Sequence, residues 1–141
     1  MKLIPTTSGK LYASSVPLQM DLDSIGKFDI IWNLAKELSF LKKNELDWSK
    51  KVIIGNIEDY DIPSNIIKFK YQLLQVVKAL QNNGQVLVHC MAGHGRTGMA
   101  IACIKHFLDG LSAKDSLEYA KRTCGGPETK LQKNFVKNLC K

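Results

Sequence analysis

Residues 89–98 read His89-Cys90-Met91-Ala92-Gly93-His94-Gly95-Arg96-Thr97-Gly98. The short apolar run Val86 to His89 precedes them, and Gly98 to Leu108 is apolar almost all round. A non-alternating run suits a strand buried on both faces, and an all-round apolar stretch suits a buried helix. Ligands of open α/β sheets bind beyond the carboxyl ends of such strands. A helix N-terminus offers unpaired amides and a positive dipole end there. Gly93 and Gly95 let the backbone curl, so that the amides of Met91, Ala92, Gly93, His94, Gly95 and Arg96 can converge on a phosphate. Arg96 adds a planar, two-pronged clamp. Cys90 becomes the floor of this cradle. A thiol in such a field falls from a pKa of about 8.5 to about 3.5–7.5, so a thiolate aimed at phosphorus is expected.

The rest of the chain supplies a frame for that turn. Leu11 to Ala13, Phe28 to Leu34 and Val52 to Ile57 read as further strands. Ile66, Phe69, Leu73, Val77 and Leu80 recur at helical spacing, and Asn83-Gly84 stops that helix. Ser112 with Asp115 predicts a capped helix ending before Gly125-Gly126. Pro127 is expected to open a last helix, with Leu131, Phe135 and Leu139 on one stripe. The expected fold is α/β, with a central, mostly parallel sheet of about four or five strands flanked by helices on both faces. At 141 residues the chain is expected to form one domain, residues 1–141.

Composition excludes several classes. Hydrophobic residues make up 45% and charged residues 23%, as in ordinary globular proteins. The longest apolar run, Met99 to Ile104, is too short for a membrane span. The early apolar run breaks at Pro5, too soon for a signal peptide, so a cytoplasmic protein is expected. Cys90, Cys103, Cys124 and Cys140 contain no C-x-x-C pair, which speaks against a zinc ribbon. The net charge of +7 suits an anionic partner without choosing one. Between Ile62 and Leu108 there is no acidic residue, whereas Glu58, Asp59 and Asp61 lie just before that stretch.

The pattern H-C-x5-R-[ST]-G resembles the signature of the cysteine-dependent protein tyrosine phosphatases. The small, dual-specificity-like branch is the most similar in size. The likeness continues in Asn56-Ile57-Glu58-Asp59-Tyr60-Asp61-Ile62-Pro63, which resembles the acid loop of that superfamily, and in Ile31-Trp32-Asn33-Leu34, which resembles its early strand. Gln132 resembles the glutamine that small members carry on the last helix. The resemblance implies Cys90 as nucleophile, Arg96 and the loop amides as phosphate binders, and Asp59 as general acid and then base. Asp61 is the competing acid. Crowding by Glu58 and Asp61 is expected to favour a protonated Asp59. The resemblance also implies that Thr97 hydrogen-bonds the departing sulfur, His89 orients the loop and tunes the thiolate, and Gln132 places the hydrolytic water. It implies no cofactor and no metal, because Arg96 and the amides supply the positive charge. The implied partners are phosphorylated proteins rather than nucleic acid.

Competing readings of the same residues are weaker. Gly93 to Gly98 matches G-x-G-x-x-G, but no strand ending in an acid follows the helix. A nucleotide P-loop needs Lys-Ser or Lys-Thr where Met99-Ala100 stands. His89, Cys90 and His94 lack a fourth metal ligand at sensible spacing. Met91 and His94 stand where inositol-lipid phosphatases of the superfamily carry lysines, which speaks against phosphoinositides. The loop lacks the Asn of the RNA 5′-triphosphatase branch, so phosphotyrosine proteins are the expected substrate. An inactive phosphate-binding module is the remaining alternative, and the presence of Cys90, Asp59 and Arg96 speaks against it.

Overall fold

The structure is a computed structural model that describes residues 1–16, 26–39 and 51–141. Five strands form one sheet: β1 (Lys2–Ile4), β2 (Lys10–Ser14), β3 (Ile30–Ala35), β4 (Lys51–Ile57) and β5 (Gln85–His89). Their spatial order is β1-β2-β5-β3-β4. Only β1 runs antiparallel to its neighbour; β2, β5, β3 and β4 are parallel. β5 therefore lies at the centre, with Val86 paired to both Leu11 and Ile30. Its central place explains the non-alternating sequence, because both faces are buried.

Four helices follow among the described residues: α1 (Ile66–Gln81), α2 (Gly95–Asp109), α3 (Ala113–Cys124) and α4 (Lys130–Leu139). They share one core with one face of the sheet. Leu11, Ala13, Trp32, Val86 and Val88 meet Phe69, Leu73, Val76, Ile101, Ala120 and Val136 there. The alternate strand residues Ile31 and Leu87 bury the second face with Phe28, against Tyr12 and Val52. The expectation of helical cover on that second face lies outside the described residues. α2 is wholly buried from Gly95 to Lys105, as its all-round apolar sequence requires.

The helix ends obey local chemistry. The Asn65 side chain accepts from Lys68 N at the start of α1, and Asn83 adopts φ 61° just beyond its end. Ser112 caps α3 by accepting from Asp115 N at 3.1 Å. The last helix differs from expectation. It opens at Lys130 rather than Pro127, because Thr129 and Gln132 form a reciprocal capping box. Its buried face carries Gln132, Phe135 and Val136, while Leu131 remains half exposed. β1 was not expected; three edge residues carry too little pattern to stand out.

Candidate active site

β5 delivers His89 to the carboxyl edge of the sheet, and α2 begins six residues later. The intervening turn wraps around Cys90, a residue only 2% exposed. Gly93 N donates to Sγ at 3.3 Å and Thr97 Oγ1 at 3.0 Å. Gly93 has φ 84°, and a Cβ there would lie 3.0 Å from Ser15 N. The positive φ favours glycine, and the tight contact adds to that preference. Gly98 is equally constrained: a Cβ would stand 2.4 Å from the Gly126 carbonyl carbon, so α2 starts directly against the Gly125-Gly126 segment. His94 occupies the N-cap without a side-chain cap bond, and no acid lies in the first turn. The first amides of α2 are left as donors for an anion.

Arg96 is 2% exposed and held by three bonds. Its Nη1 donates to Glu37 Oε1 at 2.5 Å and to the Ile57 carbonyl at 2.9 Å, and Nη2 donates to Glu37 Oε2 at 2.9 Å. Nε is a buried donor with no protein partner. Burial opposes the arginine charge, but the Glu37 hydrogen bond and the charges of Cys90, Glu37 and Asp59 outweigh it and raise the pKa. The same Arg96 hydrogen bond lowers the Glu37 pKa. Glu37 lies on a single 3-10 turn, Lys36–Leu38, directly after β3. The buried Asn33 clamps that turn: Nδ2 donates to the Leu38 carbonyl at 2.7 Å, and Oδ1 accepts from Ala35 N at 3.2 Å.

The acidic loop follows β4. Asn56 and Tyr60 both adopt positive φ, 59° and 62°, on either side of Glu58 and Asp59. Asp59 Oδ1 accepts from Tyr60 N at 3.0 Å and lies 3.5 Å from Arg96 Nη2. Asp61 Oδ1 is turned onto Ile62 N, at 2.7 Å. Glu58 pairs with Lys36 at 3.1 Å. The expected crowding of Asp59 by Glu58 and Asp61 is thus replaced by these separate pairings, and Asp59 is the acid that meets Arg96. Among the described residues no group of three or more His, Cys, Asp or Glu is arranged to hold a metal ion.

Residues 12–108 match the family described as a polymorphic toxin system DSP-PTPase phosphatase. The chain belongs to this family of cysteine-dependent, dual-specificity-type phosphatases. It is 32% identical over 93 residues to a protein of Invertebrate iridescent virus 6 that carries the name of a tyrosine phosphatase, 197R. That match spans 64% of this chain and 34% of the relative, so the chain corresponds to about a third of its length. Tk-PTP in its active form superposes with a TM-score of 0.74 at 26% identity, over 94% of this chain and 90% of that one. PTPMT1 in complex with PI(5)P shares the fold, with a TM-score of 0.76 at 14% identity over 91% and 88%.

In this member of the family Gln132 ties the acidic loop to α4. Its side chain is fully buried. Oε1 accepts from Glu128 N at 3.0 Å and Thr129 N at 3.2 Å, and Nε2 donates to the Asp61 carbonyl at 3.0 Å. One Nε2 hydrogen is left for another acceptor. His89 is buried, which depresses its pKa to about 4, so the ring is neutral near pH 7. Its Nδ1 donates to the Cys90 carbonyl at 3.4 Å, and Nε2 has no partner. It holds the loop as a neutral donor rather than as a charge. Sequence reasoning missed Glu37, whose only local signal is its place just after the Asn33-Leu34 strand end.

Proposed function

We propose that residues 1–141 form one catalytic domain that hydrolyses phosphotyrosine, and phosphoserine or phosphothreonine where the residue can reach, in phosphorylated proteins. The amides of residues 91–96 and the Arg96 Nε–H bind the phosphoryl oxygens. The Cys90 sulfur attacks phosphorus as the bond to the leaving oxygen breaks. Asp59 gives its proton to that oxygen, which matters because a phenol has a pKa of about 10. A phosphocysteine results. Asp59, now a carboxylate, takes a proton from water as the water attacks phosphorus. The S–P bond breaks, inorganic phosphate leaves, and the Thr97 hydroxyl supports the departing sulfur. The spare Gln132 N–H places the water, and His89 holds the loop.

The observation that carries this reading is the pairing of two donors on Cys90 Sγ with the unpartnered, buried Nε of Arg96. Both donors point at the sulfur that the reading makes the nucleophile, and an anion in the cradle would satisfy the buried Nε. The relative named as a tyrosine phosphatase supports the choice of substrate. The test is phosphate release from phosphotyrosine, phosphoserine and phosphothreonine peptides, soluble phosphoinositides and RNA 5′-phosphate ends. Fastest turnover on phosphotyrosine, lost in Cys90→Ser, is expected. Faster turnover of a phosphoinositide would overturn the substrate, and tight phosphopeptide binding without turnover would make this a binding module.

A further inference from the structure

The two sides of the phosphate loop are electrically different. On one side, a Cβ at Gly95 would meet Glu128 Oε1 at 2.6 Å, and Glu37 and Asp59 stand against Arg96. On the other side, Gly93 abuts Ser14 and Ser15, and a cavity of about 290 Å³ opens there. Lys2, Ser14, Ser15, Gly93, His94 and Thr123 help to line it, and none of its described lining residues is acidic. The cavity is held in shape from both ends of the fold. Lys2 Nζ donates to the Thr123 carbonyl at the end of α3, and His94 Nδ1 donates to the neighbouring Cys124 carbonyl at 2.7 Å. An ammonium group has three donors, so Lys2 keeps two for another acceptor.

We propose that this cavity is a subsite for a second anionic group of the substrate, the carboxylate of an acidic side chain beside the phosphorylated residue. The inference rests on the phosphoprotein reading above and adds the sequence context that it selects. With phosphate in the cradle, the Gly93 side is the basic flank. An acidic side chain arriving there meets the Lys2 ammonium and the Ser15 hydroxyl, while the Ser14 hydroxyl donates to the Ser15 carbonyl at 2.7 Å. On the Gly95 side the same group would meet Glu128, Asp59 and Glu37, at a repulsive cost. The asymmetry favours a peptide over an anionic lipid surface. A peptide presents its charge on one side of the phosphate, whereas a lipid plane would press negative charge on the acidic flank as well.

The test compares phosphotyrosine peptides bearing Asp or Asn within two residues of the phosphotyrosine on either side. Proteins are the wild type, Lys2→Gln, Lys2→Arg, and Lys70→Gln as a charge control on α1. The wild type is expected to favour the Asp peptide by about fivefold in kcat/KM, the range of an exposed ion pair. Lys2→Gln should bring the ratio close to one, while Lys2→Arg and Lys70→Gln should keep it. Turnover of an uncharged-flank aryl phosphate should be equal in all four. A ratio of one in the wild type, or an unchanged ratio in Lys2→Gln, overturns the subsite. Discrimination between inositol mono- and bisphosphates without discrimination between the peptides overturns the peptide assignment. The same ratios measured as affinities in Cys90→Ser need no turnover. They therefore separate a failure of the subsite from a failure of the proposed catalysis.

Discussion

The loop of residues 90–96 and the loop of residues 58–61 meet at Arg96 but are built in opposite ways. The first has a packed floor beneath an exposed rim of Met91, Ala92 and His94: Cys90 and Arg96 are each 2% exposed, and glycines at 93 and 98 fit against neighbouring backbone. The second is open, with the Glu58 and Asp59 side chains 64% and 51% exposed, and is held from far along the chain by Gln132 on the Asp61 carbonyl. The phosphate-binding half is therefore preorganised and the acid half is tethered. Damage to the first should remove catalysis of every substrate. Damage to the second should be felt in proportion to how poor the leaving group is.

Four substitutions sharpen that contrast. Arg96→Ala should lower kcat/KM by about 10⁴-fold on aryl phosphates and phosphopeptides alike, since a transition-state guanidinium is lost. An effect confined to phosphotyrosine would break the contrast. Asp59→Asn should lower kcat on a phosphotyrosine peptide by about 10²–10³-fold but change little on an aryl phosphate with an acidic phenol. If Asp61→Asn behaves this way instead, the assignment of the acid is wrong. Gln132→Ala releases the Asp61 carbonyl and two amides at the start of α4. It should cost about 2 kcal/mol of stability and lower phosphotyrosine turnover by about tenfold, with vanadate affinity unchanged. Weakened vanadate affinity would place Gln132 in the cradle rather than the tether.

The mildest effect at neutral pH concerns His89. Its pKa falls from an ordinary 6.5 to about 4 on folding, so the unfolded chain takes up a proton first as pH drops. Its contribution to stability is complete above pH 6.5 and is lost as pH falls toward 4 and below. Between pH 7 and pH 5 the loss is about 2 kcal/mol. Denaturant titration at both pH values should show this loss in the wild type and a flatter response in His89→Asn. Equal slopes would mean that His89 is not buried as a neutral ring.

The same contrast decides what could be read in the sequence. The strand, cradle and helix from Val86 to Leu108 are legible because every requirement lies within about twenty neighbouring positions. Buried runs, glycines and the Cys–Arg interval all report on one local structure. Glu37 is not legible, because it reaches Arg96 across 59 positions and looks like any acid on a turn. Asp59 and Asp61 stand two positions apart in one acidic stretch, and the preference for Asp59 depends on which carboxylate turns to Arg96. The start of α4 was misplaced because Pro127 is a strong local signal, whereas the Thr129–Gln132 box is completed only when Gln132 is drawn inward to the acidic loop.

The covalent intermediate offers the most direct test. The enzyme is mixed with a phosphotyrosine peptide, quenched in acid during turnover, digested and analysed by mass spectrometry. The account predicts a phosphoryl group on the peptide containing Cys90, more abundant in Asp59→Asn when the substrate has a good leaving group. Active enzyme with no phosphorylated cysteine, or with the group on Cys124 or a serine, would contradict it.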